Sequence, residues 1–157
     1  MSEITTVIGT VTVTEELART QHHQYACDYT EHLVQPGTYE VTCRWERMYP
    51  TGVVFAQDID VTYDSVIVES YAPNLFGGVP FGDNTPDKTR KPGQFHAHLY
   101  AYQCPEALSA GVREVEWLGG VFTAAEGVEF EEQVFESEYS GRRVSCKPRF
   151  VEPAATA

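Results

Sequence analysis

The chain has 157 residues, and a domain of about 150 residues buries roughly 68–70% of the surface its unfolded chain exposes, so a core without staples is possible. Apolar residues make up 42% of it, with 8 Phe, 9 Tyr and 2 Trp, which excludes wholesale disorder. The balance of 23 acidic against 11 basic residues gives a formal charge of −12 and a pI near 4.7, a field that repels nucleic-acid phosphates and anionic lipid while favouring solubility or a basic partner.

Cys27, Cys43, Cys104 and Cys146 are far apart in sequence, and none forms a C-x-x-C pair. The stretch MSEITTVIGTVTVTEE has no basic n-region and no uninterrupted apolar run, so it is not read as a signal peptide. No window approaches the roughly 18 apolar residues of a membrane helix. The expectation is a cytoplasmic protein with free, buried thiols and no membrane association.

In chain order, Ile4 to Thr14 alternates Thr with Val and Ile and reads as a strand. Glu15 to Gln21 reads as one helical turn or a plain connection. Gln24–Val34 and Thr38–Tyr49 flank the turn signal Gln35-Pro36-Gly37 and are predicted to form a hairpin. Tyr25, Cys27, Tyr29 and Leu33 would share one face with Tyr39, Val41, Cys43, Trp45 and Tyr49, and parity then sets Val34 opposite Thr38 and Tyr29 opposite Cys43. That register leaves Cys27 and Cys43 as diagonal neighbours, too far apart for an unstrained disulfide. Val53, Phe55, Ile59, Val61 and Tyr63 take one parity, Val66 and Val68 the other, and the change predicts a bulge or bend at Asp64-Ser65. Asp58, Asp60 and Asp64 fall on the polar side, as a solvated face.

Tyr71 to Gln94 has no strand or helix period, holds four of the 9 prolines and four of the 12 glycines, and still carries Leu75, Phe76, Val79 and Phe81. A loop this long inside a compact domain is a functional loop or a linker, and a linker gains nothing by exposing apolar side chains. Its apolar residues either tuck under the loop or anchor a partner, rimmed by the basic patch Lys88, Arg90 and Lys91. The loop delivers a strand, Phe95 to Cys104, in which Phe95, Ala97, Leu99 and Ala101 alternate with a polar-aromatic row of His96, His98, Tyr100 and Tyr102. Beyond it, Pro105–Gly111 supports one or two helical turns, and Val112–Leu118 alternates with Val115 and Trp117 inward until Gly119-Gly120. Val121 to Gly127 fits neither strand nor helix clearly. Val128–Tyr139 and Arg142–Phe150 form a second hairpin about a two-residue Ser140-Gly141 loop, which sets Phe135 opposite Cys146, Glu138 opposite Arg143 and Glu132 opposite Arg149.

His96 and His98, spaced i, i+2 on a strand, could turn both imidazoles toward one metal as in cupin-like barrels. The rest of that pattern is missing: Gly93 is too close, Glu106 too far, and His32, Asp58, Asp60 and Glu106 cannot be ranked as a third ligand. Neither a Gly-x-Ser-x-Gly elbow nor a phosphate-binding glycine loop is present, and no catalytic residue or cofactor is assigned.

Through YAPNLFGGVPFG, the PGTYEV strand start and its Arg-rich, Lys-poor composition, the chain resembles small uncharacterised accessory proteins encoded by actinobacterial phages. The resemblance covers about a third of the chain. It implies a phage-encoded protein of the host cytoplasm or the virion, a host-factor binder or an assembly component, with no catalytic residues to carry over. The fold expected is mainly β: a single domain over 1–150, an antiparallel sandwich or partly open barrel of about seven to nine strands with at most short helices, and a tail over 151–157. The function expected is a non-enzymatic protein-binding protein that uses the 71–94 loop with Leu75, Phe76, Val79, Phe81, Lys88, Arg90, Lys91, Tyr100 and Tyr102. The alternatives are a structural component of a virion or other assembly, and a metal-dependent cupin-like enzyme at His96 and His98. A protein partner is expected, nucleic acid is not, and a homo-oligomer is left open.

Overall fold

The computed structural model describes residues 2–22, 29–48, 52–71 and 93–150. They form ten strands: β1 Ser2–Val13, β2 Leu17–His22, β3 Tyr29–Val34, β4 Gly37–Met48, β5 Val53–Tyr71, β6 Gly93–Tyr100, β7 Glu114–Trp117, β8 Gly120–Ala124, β9 Glu129–Ser137 and β10 Gly141–Arg149. Two 3-10 turns, Ala101–Gln103 and Glu106–Ala110, are the only helix among the described residues. The ladders between these strands are antiparallel, so the fold is mainly β with short helical turns, as the β-branched alternation requires. No described helix is long and apolar enough to cross a membrane.

The chain divides into two compact units: Met1–Thr12, Thr38–Val61 and His98–Ala157 make unit one, and Val13–Gly37 with Thr62–Ala97 makes unit two. The 19-residue β5 gives its first half to one and its second half to the other.

Unit one is organised on the order β5-β4-β1-β8-β7. On β4 the predicted alternation holds, with Val41, Cys43 and Trp45 buried together with Ile59 and Val61 of β5. Arg44 faces Asp58 while Trp45 faces Ala56, so Gln57 is an extra, bulged residue. This corrects the single parity expected for Val53 to Tyr63. Past the bulge the faces exchange, and Val53 and Phe55 are 47% and 46% exposed. Between β1 and β8 the backbones and a ring come very close: a Cβ on Gly9 would lie 2.4 Å from the Thr123 carbonyl oxygen and 2.5 Å from the fully buried Phe122 ring. Only glycine fits there. β7 and β8, the latter falling in the stretch whose sequence was ambiguous, turn on Leu118 and Gly119 at φ 59° and 84°, the mirror-image hairpin turn that suits the twist of antiparallel strands.

The β9–β10 hairpin exists, but its register differs from the one expected. Ser137 pairs with Gly141 and Phe135 with Arg143, while Cys146 faces Glu132. The loop therefore has three residues, Glu138, Tyr139 and Ser140. Two local features select it: Ser137 Oγ accepts the Ser140 N–H at 2.9 Å, and Gly141 takes φ 71° where the chain re-enters the ladder. The ion pairs follow this register, Arg142–Glu136 at 3.9 Å, Lys147–Glu131 at 3.3 Å and Arg149–Glu129 at 3.7 Å.

Unit two holds β2, β3 and the second half of β5 in that order. The expected turn at EELARTQ is instead the edge strand β2, paired from Leu17↔Val34 to His22↔Tyr29. The expected β3–β4 hairpin does not form, because β3 pairs with β2 and β5 while β4 pairs with β5 and β1. Gln35 N donates to Asp64 O at 3.2 Å, tying the turn to β5. The inward face of β3 is also the reverse of that expected: Thr30, His32 and Val34 are buried, and Tyr29 and Leu33 only half-buried. His32 stacks on Phe95 at 4.2 Å and meets Ser65 Oγ at 3.0 Å, and Phe95 lies 6.3 Å from Tyr63. An imidazole with an aromatic face and a hydroxyl partner is accommodated in a core where leucine's branching offers no such bond. Buried Tyr63 and Ser65 keep the odd parity of β5 through the predicted bend at 64–65; the irregularity falls later, where Glu31 faces Glu69 and His32 faces Ile67, leaving Val68 extra.

Candidate functional site

β6 alternates as its sequence predicts, with Phe95 and Ala97 buried and His96, His98 and Tyr100 exposed. The strand ends at Tyr100 rather than Cys104, because Ala101–Gln103 wind into a 3-10 turn whose Gln103 Oε1 accepts the Tyr100 N–H at 3.1 Å. The Tyr100 and Tyr102 rings lie nearly parallel, 4° apart with centroids at 5.4 Å, and they are 54% and 45% exposed. Phe135 of β9 extends the file edge-on to Tyr102 at 5.8 Å and is 37% exposed, and His98 stands edge-on to Tyr100 at 6.3 Å. Exposed rings in a row are the side chains that dominate binding surfaces, since each offers a large apolar face at little rotamer entropy.

The file borders a cleft of about 500 Å³ lined by Tyr102, Gln103, Cys104, Phe135, Arg143, Val144 and Ser145. Arg143 makes no ion pair among the described residues, in a hairpin whose other basic residues have carboxylate partners. Ser145 Oγ is buried without a hydrogen-bond partner among them. An aromatic wall, a guanidinium and an unused hydroxyl can together take an apolar or aromatic group that sits beside a carboxylate. The three-residue loop of β9–β10 is what assembles this. By pairing Phe135 with Arg143 it brings ring and cation to one edge, whereas the expected register would have set Phe135 against Cys146.

A second cluster lies on the outer face of β4 and β5 in unit one. The Arg44 guanidinium is ion-paired with Asp58, and the hydrogen bond and charge of that carboxylate hold Arg44 further into its protonated form. His98 Nδ1 lies 2.6 Å from Asp60 Oδ1 and its Nε2 3.4 Å from Asp58 Oδ1. Asp58 is only 9% exposed, so it belongs to a charge network rather than to the solvated face expected of it. On the opposite face Cys43 is fully buried, and burial, with lesser contributions from Asp58 and Asp60, pushes its thiol up to about 12.

Of the residues singled out by sequence, Tyr100 and Tyr102 come together in the aromatic file, and His98 lies beside the Asp58–Asp60 cluster. His96 belongs to unit two and meets Thr62 Oγ1 at 3.2 Å. His32 is a core residue, and Glu106 opens an exposed 3-10 turn. Leu75, Phe76, Val79, Phe81, Lys88, Arg90 and Lys91 lie outside the described residues. Phe135 and Arg143 were missed, and their signal was the Ser-x-x-Ser-Gly turn that fixes their pairing. Compared with models of known protein families, with curated proteins and with solved structures, the chain matches none.

Proposed function

We propose that the protein is a non-enzymatic protein-binding protein whose contact surface is centred on Tyr100, Tyr102 and Phe135, with Arg143 as its polar anchor. The supporting observation is an exposed file of aromatic rings beside a cleft that also holds an arginine without an ion pair among the described residues. A partner segment with an apolar or aromatic side chain next to a carboxylate matches this chemistry. The 71–94 loop, with its own apolar and basic residues, is a separate segment proposed for partner contact. The likeness to phage accessory proteins makes a host cytoplasmic factor the partner to seek first. The test compares immobilised wild type with the double variant Tyr100→Ala, Tyr102→Ala and with Arg143→Glu in capture from host extract, each shown by circular dichroism to keep its strand content. A bound protein should be lost from both variants, each anchor contributing about 2 kcal/mol, or roughly 30-fold in affinity. Equal capture by all three overturns the reading.

A metal-dependent reading has one observation in its favour, the ligand atoms of Asp60 and His98 within reach of a single ion. Metal analysis of protein purified without chelator decides it: stoichiometric metal lost in His98→Ala supports this reading, and metal-free wild type removes it.

A further inference from the structure

We propose that Cys104 and Cys146 form a cross-strand disulfide, a covalent modification site at the floor of the aromatic cleft. The two residues face each other in an isolated antiparallel bridge, Cys104 following the first 3-10 turn and Cys146 lying within β10. Directly opposed residues of an antiparallel pair hold their Cα atoms about 4.5–5.5 Å apart, inside the roughly 4.4–6.8 Å that a disulfide spans. The side chains converge as well as the backbones. The Cys104 S–H donates to the Ala101 carbonyl oxygen at 3.0 Å, and the Cys146 S–H donates at 2.8 Å to the carbonyl oxygen of Pro105, the residue that follows Cys104, so the Cys146 sulfur is held against the segment that carries its partner.

Both residues are buried, but Cys104 lines the cleft, which gives a small oxidant a route to the pair. Cys43, fully buried and pushed up to about 12, does not line the cleft.

The reaction balances with a low-molecular-weight disulfide as oxidant. Exchange at Cys104 breaks the S–S bond of the small disulfide, forms a mixed disulfide and releases one small thiol into the cleft. The Cys146 sulfur then attacks Cys104 Sγ, the new S–S bond forms, and the second small thiol leaves. Both cysteine protons depart with the two released thiols, and the two electrons lost by the pair reduce the oxidant. The product ties the 3-10 turn that carries Tyr102 and Gln103 to the strand that carries Arg143 and Ser145. The inference is independent of what the cleft binds.

The experiment treats the folded, full-length chain with oxidised glutathione, blocks remaining thiols under denaturing conditions, and maps the peptides by mass spectrometry. Of the 4 cysteines, 104 and 146 should be linked to each other and should escape blocking, and the thermal midpoint should rise and return on reduction. Cys104→Ser and Cys146→Ser should each abolish the link, while Cys43→Ser keeps it. The mapping of wild type stands even if a variant fails to fold. Retention of all four thiols, stable glutathione adducts without ring closure, or a link to Cys27 or Cys43 would each overturn the proposal.

Discussion

Burial sets the chemistry of single side chains. Cys43 shows it most simply: in the folded state its thiol is pushed from 9.0 up to about 12, chiefly because the interior disfavours a thiolate. The folded value lies above the unfolded one, so this contribution is complete below about pH 9 and is lost as pH rises toward 12. Between pH 8 and 11 wild type should lose about 2–3 kcal/mol more stability than Cys43→Ala, read from urea unfolding at each pH. An equal loss in both would show that the thiol is not held neutral by the fold. The residue scale is also where the sequence was hardest to read. Alternation placed His98, Tyr100 and Tyr102 on one exposed row, because period two is a property of the strand itself. It could not show that Asp58, spaced like a solvent-facing residue, meets Arg44 and is nearly covered. Nor could it show that His32 is a core residue, since that depends on Phe95 and Ser65, far away in sequence.

At the scale of elements, irregular residues decide which faces meet. One bulge at Gln57 turns Val53 and Phe55 outward, and moving the β9–β10 loop from 140–141 to 138–140 shifts the register by three residues, setting Arg143 rather than Cys146 opposite Phe135. Acidic residues fall only on β9 and basic ones only on β10, so several registers set opposite charges against each other and pairing by sign selects none of them. The turn selects. A Cβ on Gly141 would meet nothing within 4 Å, so the cost of Gly141→Ala lies in its backbone conformation at φ 71° alone. That substitution should lower stability by about 1 kcal/mol in denaturant unfolding, with Gly141→Asn recovering part of it, because asparagine tolerates the left-handed region. A neutral Gly141→Ala would mean that the loop does not depend on this conformation.

For the whole molecule, strand content was legible because composition and alternation are local, while strand order was not. The β3–β4 hairpin was the natural inference from two alternating segments around Pro-Gly, yet each strand takes a different half of β5, whose length no short window reveals. The net charge of −12 also acts at this scale. Self-repulsion of that size outweighs a few exposed ion pairs, so raising salt from about 10 to 300 mM should raise the thermal midpoint, and a fall would place the balance with the ion pairs instead. The ladder between β1 and β8, from Gly9↔Ala124 to Thr12↔Val121, sets an order on folding. A ribosome makes β1 more than a hundred residues before its partner on that side, roughly 5–20 s earlier at typical rates of synthesis. Until then one edge of a Val- and Thr-rich strand stands open to any other extended chain. Gly9, which admits Phe122 so closely in the finished structure, leaves that waiting edge less adhesive by withholding a side chain from it.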